Sequence, residues 1–433
     1  MSDQPILRSA RSHKLSTIAR HGRLKHSNPV VTVVKFLAAA MAVVLVSGVS
    51  VAAIATLDVA SSAQPGVHLA NETNGPVPQI GAITGGVNLL IVGSDSRKGQ
   101  DAAFGPDDST GDLNDVTMLL HISQDHTNAS VISFPRDMFV PIPACPDPSG
   151  GTFNSMSRQK INTTLTYGGL ACTVLTVEKL TGLTIPFAAE VQFSGVMAMS
   201  TAVGGVPVCV AEEIQDEYTG TFLKPGMHTL EGVAALQFLR TRHGVGDGSD
   251  LTRINNQQVF MSALVRTIKS ASTLSDPIKV YSLAKAVTAN MKLSDSLNNV
   301  STIASIAVAL KDIDLNEVVF VQVPTGGTTG GVLPLQPDFK DLFTAVAADK
   351  ALKLGGTTGR GATLDPSATA TPAPTATPAP AATTDASAPP APTASAGATP
   401  TPTPTDAATL SESATGQTAG ELTCSVGRTL SNQ

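Results

Sequence analysis

The 433-residue chain contains no tryptophan and three tyrosines; aromatic residues make up 4% of it and charged residues 14%. Any core must therefore be filled mainly by aliphatic side chains, and much of the 42% hydrophobic content is Ala and Val. Cysteine is scarce: Cys145, Cys172, Cys209 and Cys424, with no CxxC and no Cys/His cluster, which argues against a structural zinc site. No Ser/His/Asp arrangement is apparent either, because His121, His126, His228 and His243 have no nucleophile motif around them. Basic charge is missing from most of the chain. Residues 1–35 hold seven Lys/Arg and one Asp, leaving 21 basic against 33 acidic side chains elsewhere. A net-negative body argues against nucleic acid as a partner, which needs a basic face, but leaves room for a small basic pocket.

Two long stretches are defined by what they lack. Residues 36–56 carry no charge, and the apolar residues 29–34 extend them. About 20 apolar residues cross a ~30 Å hydrocarbon layer, so residues 29–57 are expected to be a transmembrane helix. Lys35 can snorkel to the headgroups. The basic flank precedes the span, so residues 1–28 should be cytoplasmic and everything after the span extracellular, in a single-pass plasma-membrane protein. The competing reading is a cleaved signal peptide with its cut near Ala60–Ala63. Residues 355–420 lack large apolar side chains and repeat TATPAPTATPAP and TPTPTPT, the composition of a disordered, polyproline-rich spacer. Residues 58–85 read as a linker and residues 421–433 as a short end carrying Cys424.

Between these, residues 86–348 alternate short β-branched runs with helical patterns, the signature of an α/β layered domain. Strands are expected at residues 87–93, 116–122, 129–134, 188–193, 206–210 and 318–323. Helices are expected at 164–180 (broken near Gly168 and Gly169), 194–203, 231–239, 251–270, 274–290 and 294–311. An exported, even set of cysteines suits disulfides, and four allow three pairings. Cys145, in a Pro-rich loop, and Cys172 form a plausible staple. Cys209–Cys424 would then remain, with a buried free thiol at Cys209 as the alternative.

Chemistry-bearing residues fall at predicted strand ends and in one later stretch. Asp95 and Arg97 follow the first strand, Asp115 opens the second, and Arg136 and Asp137 follow the third; strand ends are where open α/β sheets place ligands. Individually, such residues are more often turn formers or surface ion pairs. The later stretch, FLRTRHGVGDGSDLTRINNQQ, carries Arg240 and Arg242 two apart, so that in an extended segment both would leave one side. A helix follows, capped by Ser249 or Asp250, with Arg253 and Gln257 on one face. Arginines beside a helix N-terminus, with carboxylates nearby, suit a phosphate or pyrophosphate bridged to a divalent cation.

The motifs GSDSR, NDVTMLLHIS, SFPRDMFVPIP, KINTTLTYGG, the EVQFSG–AVGGVPV stretch and FLRTRHGVGDGSDLTRINNQQ occur in the order of the LytR-CpsA-Psr family, which the chain resembles strongly over residues 86–270. The anchor and Ala/Pro-rich tail look like an actinobacterial member. The resemblance implies a three-layer α/β/α sandwich around a mixed central sheet, with a polyprenyl-binding cavity. It implies transfer of a phosphoglycan from a polyprenyl-pyrophosphate carrier onto peptidoglycan, at the bilayer. By motif, Asp95 and Asp115 would hold Mg²⁺ (or Mn²⁺), either being a candidate base for the acceptor hydroxyl. Arg97, Arg136, Arg240, Arg242 and Arg253 would bind phosphate, Asp137 and Asp250 would orient them, and Gln257 would line the site. Lys160 and Asn162 are either structural or functional. Two departures stand out: Leu113 and Asn256 occupy positions where many members have Arg. A polyprenyl-pyrophosphate hydrolase and a non-catalytic cell-wall receptor are the competing readings; metal carboxylates favour catalysis over the latter.

Overall fold

A computed structural model describes residues 29–70, 72, 86–97, 112–147, 149–270, 273, 276–365 and 407–433. The expected basic segment (1–28), the later part of the linker (73–85) and residues 366–406 of the expected tail lie outside the described residues. Contacts divide the chain into two units, up to Ile54 and from Ala55 onward.

The first unit holds most of helix α1 (Pro29–Ser61), of which Val33–Ser61 is long and apolar enough to cross a membrane. In the second unit, the segment read as a free linker is instead docked in its first part. Lys285 donates to Asp58 at 2.7 Å, and the Val67 amide donates to the Leu293 carbonyl at 2.8 Å.

A seven-stranded sheet organises the second unit. In chain order its strands are β1 (Val87–Ser94), β2 (Asn114–Ile122), β3 (Ala129–Phe134), β4 (Phe187–Val191), β9 (Met291–Leu293), β10 (Val318–Gln322) and β12 (Gly416–Thr418), and they lie side by side as β9-β4-β1-β2-β3-β10-β12. The sheet is mixed: β1–β4 and β3–β10 pair in parallel, the other neighbours antiparallel. Side chains alternate across it, as the two-residue period of a strand requires. Leu90, Val92, Leu119 and Ile132 pack on one face with helices α2 (Thr164–Thr181) and α8 (Asp338–Ala347). Leu89, Met118, Leu120 and Val131 pack on the other, under α5 (Asp250–Lys269), α6 (Pro277–Asn290) and α7 (Val300–Asp312). This is the expected α/β/α sandwich.

A second, four-stranded sheet runs β8 (Gly226–Leu230), β5 (Val206–Val210), β13 (Thr423–Ser425), β11 (Ala362–Leu364), covered by α4 (Gly232–Arg240) and α5. Helix α3 (Phe193–Ala202) and a hairpin of β6 (Ile214–Asp216) and β7 (Thr221–Leu223) complete its surroundings.

Several expectations are corrected. The helix expected to begin at residue 274 begins at Pro277, where Asp276 accepts the amides of Ile278 and Lys279. Residues 294–299, read as helix, are loop, and α7 starts behind the Asn299 cap. Helix α8 carried no clear sequence expectation. The tail boundary is also displaced: residues 355–365 and 407–420 are folded, and β12 extends the central sheet while β13 enters the second one. Both disulfides are formed, Cys145–Cys172 and Cys209–Cys424, and neither Cys209 nor Cys424 is a free thiol.

Candidate active site

Strand ends and helix termini meet beside a cavity of about 340 Å³. Its lining includes the charged and polar side chains of Asp115, Arg136, Arg240, Arg242, Arg253 and Gln257. Ile91, Val116, Phe193, Val196, Leu236 and Phe260 give it a large apolar share, beside the polar Ser94, Gln192, Ser200, Asp216, Thr219 and His243. Six of the ten residues singled out in the sequence thus share one cavity. Its β1 wall depends on close backbone approach: a Cβ at Gly93 would lie 2.9 Å from the Cβ of Val116, where the β1–β2 register shifts.

The other four do not line the cavity. Asp95 Oδ1 accepts from the Leu113 amide at 2.8 Å, so the backbone at position 113 holds Asp95. Burial pushes the Asp95 carboxyl above its ordinary value, and the nearby carboxylates of Asp115 and Asp112 push the same way. Arg97 lies outside the cavity lining but close enough to repel Arg240. Asp137 faces Arg136 Nε at 3.6 Å and Lys160 at 2.7 Å, and Asp250 faces Arg253 at 2.6 Å. Lys160 therefore holds Asp137.

The arginines come from different elements. Arg136 donates to Asp115 Oδ1 at 2.6 Å, and Arg253 donates to the Asp115 carbonyl at 2.8 Å. Arg240 closes the last turn of α4, so the Arg240–Arg242 pair is not in the extended segment expected from its spacing. Its guanidinium lies over the Phe193 ring, 4.5 Å from the centroid. Burial lowers the Arg240 pKa, and Arg97 and Arg253 add to that. Asp115 and Asp95 act the other way, so cations and carboxylates together surround this guanidinium. Gln257 donates to the Leu239 carbonyl at 3.2 Å, tying α5 to the end of α4. Helix α5 starts at the Ser249 cap, whose hydroxyl accepts from Thr252 N at 3.3 Å. Asn256, the second departure, points away from the cavity: it donates to the Phe238 carbonyl at 2.8 Å and accepts from Ser425 of the C-terminal strand.

Sequence reasoning missed Asp112, Asp216, Phe193 and Tyr218. Asp112 precedes the NDV motif and could have been found by its spacing from Asp115; Asp216 had no motif to mark it. His243, which has no nucleophile motif around it, lies against Tyr218 with ring centroids 4.4 Å apart and the rings tilted by 35°, and both line the cavity. The donor set fits a hard divalent cation: the Asp95 carboxyl, raised by burial and by the neighbouring Asp115 and Asp112, would be relieved by a cation beside it, and two carboxylates plus substrate phosphates are a common Mg²⁺ set.

A model of the LytR_cpsA_psr family matches residues 56–348. The chain belongs to the LytR_cpsA_psr family. Among its relatives, the cell wall biosynthesis protein LcpA of Corynebacterium glutamicum is 29% identical over 277 residues, covering 58% of this chain and 52% of LcpA. The polyisoprenyl-teichoic acid–peptidoglycan teichoic acid transferase TagT of Bacillus subtilis is 26% identical over 234 residues, covering 52% of this chain and 66% of TagT. This chain spans about half the length of LcpA. A crystal structure of protein gbs0355 from Streptococcus agalactiae shares the fold at 18% identity, with a TM-score of 0.50 over 61% of this chain and 87% of that one. The C-terminal strands β12 and β13 lie beyond the residues that the family model matches.

Proposed function

We propose that this LytR_cpsA_psr protein is a membrane-anchored phosphotransferase that moves a phosphoglycan from a polyprenyl-pyrophosphate carrier onto peptidoglycan outside the cell. One observation carries the reading: arginines and carboxylates share a single cavity with a large set of aliphatic and aromatic side chains. A polyprenyl pyrophosphate combines the same two chemistries, a diphosphate joined to a hydrocarbon chain. The names of LcpA and TagT, a cell wall biosynthesis protein and a peptidoglycan teichoic acid transferase, support it. Helix α1 would keep the domain beside the bilayer where such a carrier resides, with the N-terminus cytoplasmic.

In this reading Asp95 and Asp115 hold Mg²⁺ (or Mn²⁺), which when bound neutralises charge on the diphosphate oxygens. Arg136, Arg240, Arg242 and Arg253 orient the diphosphate. The acceptor hydroxyl oxygen forms a bond to the phosphorus nearer the glycan, the bridging P–O bond breaks, and polyprenyl phosphate leaves. The hydroxyl proton passes to a carboxylate of the Asp95–Asp115 pair. The apolar walls keep the prenyl chain in place and exclude water from one side of the phosphorus.

The test is a reconstitution with polyprenyl-pyrophosphate-linked glycan, Mg²⁺ and a peptidoglycan acceptor. Product must appear with the intact chain and fall at least ~100-fold in Arg240→Ala, the scale of losing one charge-stabilising donor. Release of free phosphoglycan at the same rate without acceptor would identify a hydrolase instead.

A further inference from the structure

Asp216 ends β6 with its side chain fully buried, yet it lines the cavity wall. It has no arginine or lysine ion partner among the described residues, and its two oxygens serve two different loops. Oδ2 accepts the Thr241 hydroxyl at 2.7 Å and the successive amides of Arg242, His243 and Gly244 at 3.0, 3.2 and 3.4 Å. Oδ1 accepts the amides of Tyr218 and Thr219 at 3.0 and 3.4 Å. Burial alone would push the carboxyl up, but these donors hold it below the usual range, so it is a carboxylate at neutral pH. Three consecutive amides converging on one anion form a nest, a geometry that fixes the backbone of all three residues.

The fixed segment is the one that carries Arg242. Its outer edge is held as well: the Arg428 amide donates to the Gly244 carbonyl at 2.8 Å, and the Gly246 amide to the Val426 carbonyl at 3.0 Å. Gly246 and Gly248 have φ of 50° and 78°, and Arg242 Nε donates to the Gly248 carbonyl at 3.1 Å. The loop is thus bent back so that its own carbonyl orients the guanidinium, and the amide nest on Asp216 sets where that bend begins.

We propose that Asp216 is a positioning residue for the diphosphate site, acting through the 241–244 backbone to aim Arg242 and through the 218–219 turn to seat Tyr218 against His243. The proposal rests on the pyrophosphate reading above. It predicts a coupling: Asp216 contributes to diphosphate binding only through the loop, so its effect depends on Arg242 and is independent of Arg240, which α4 carries.

The experiment is calorimetric titration of inorganic pyrophosphate with Mg²⁺ into the full chain in detergent, as a double-mutant cycle. Asp216→Ala should weaken binding about tenfold, the scale of a lost charge-assisted contact. In an Arg242→Ala background it should add less than about twofold, and in an Arg240→Ala background the full tenfold. Asp216→Asn, which keeps an acceptor for one loop only, should fall between wild type and Asp216→Ala; it decides the matter if the Ala variant fails a thermal-melt check. Equal losses from Asp216→Ala (or from Asn in its place) in the Arg242→Ala and Arg240→Ala backgrounds would reduce Asp216 to a general structural residue and overturn the proposal. Unchanged pyrophosphate affinity in both Arg240→Ala and Arg242→Ala would instead remove the clamp itself, and the role of Asp216 with it.

Discussion

Arg136 and Asp115 are joined at 2.6 Å across the ends of β3 and β2, so a phosphate-binding cation and a metal-binding carboxylate of the proposed site neutralise each other. Arg136 is held in its charged form despite burial, chiefly by Asp115, with Asp250 and Asp137 adding to it. A substrate diphosphate must therefore compete with Asp115 for this guanidinium unless a cation takes the carboxylate first.

That competition gives a signed test at Asp115. Without divalent metal, Asp115→Asn should bind inorganic pyrophosphate more tightly than wild type, because Arg136 is released. With Mg²⁺ the order should reverse, and transfer should fall at least ~100-fold. Titrations with and without Mg²⁺ check both signs.

Asp95 offers a stability test with the opposite sign from an ordinary core substitution. Its carboxyl is raised by burial and by Asp115 and Asp112, so the fold favours the neutral form. The penalty is absent below the unfolded value near 3.8 and grows as pH rises through the folded one. Asp95→Asn should therefore melt above wild type at pH 7, equal it at low pH, and lose transfer activity. Added Mg²⁺ should raise the wild-type melting temperature and leave the variant unmoved, as scanning calorimetry across pH would record.

Overfilling the cavity at an apolar wall position should separate lipid from phosphate. Val196→Trp places a large ring among the cavity walls. The KM for a polyprenyl-pyrophosphate substrate should rise about tenfold or more, on the scale of overpacking costs of ~1–3 kcal/mol. Inorganic pyrophosphate affinity should stay within about twofold.

The Cys209–Cys424 bond joins residues 215 apart and fastens β13 beside β5. Closing so long a loop restricts the unfolded chain, so Cys209→Ser with Cys424→Ser should cost about 2–5 kcal/mol of stability. Chemical denaturation measures it, and limited proteolysis should cut the released C-terminal segment.

Much of this was legible in the residues. The strand runs ending in GSDSR, opening with NDV and closing with SFPRD read directly, because buried strands need apolar runs and their ends need turn formers. Six of the residues lining the cavity, Asp115, Arg136, Arg240, Arg242, Arg253 and Gln257, were singled out beforehand. The geometry of the Arg240–Arg242 pair was misread, because two-residue spacing says the same thing only if the segment is extended, and the helix preceding it continues through Arg240. Asp216 left no mark: a carboxylate that binds backbone amides requires no particular neighbours in sequence.

The order of elements, the apolar anchor segment and the inventory of arginines and carboxylates were determined by the sequence alone, since hydrophobic period, run length and residue chemistry are local properties. Only the tertiary structure decided that residues 416–425 return to complete both sheets, that Cys209 meets Cys424, and that Asp216 grips the Arg242 loop. Each of these joins residues tens to hundreds apart. Such contacts form only when chain-closure entropy is outweighed by burial and hydrogen bonding of the whole fold, and no local pattern encodes that balance.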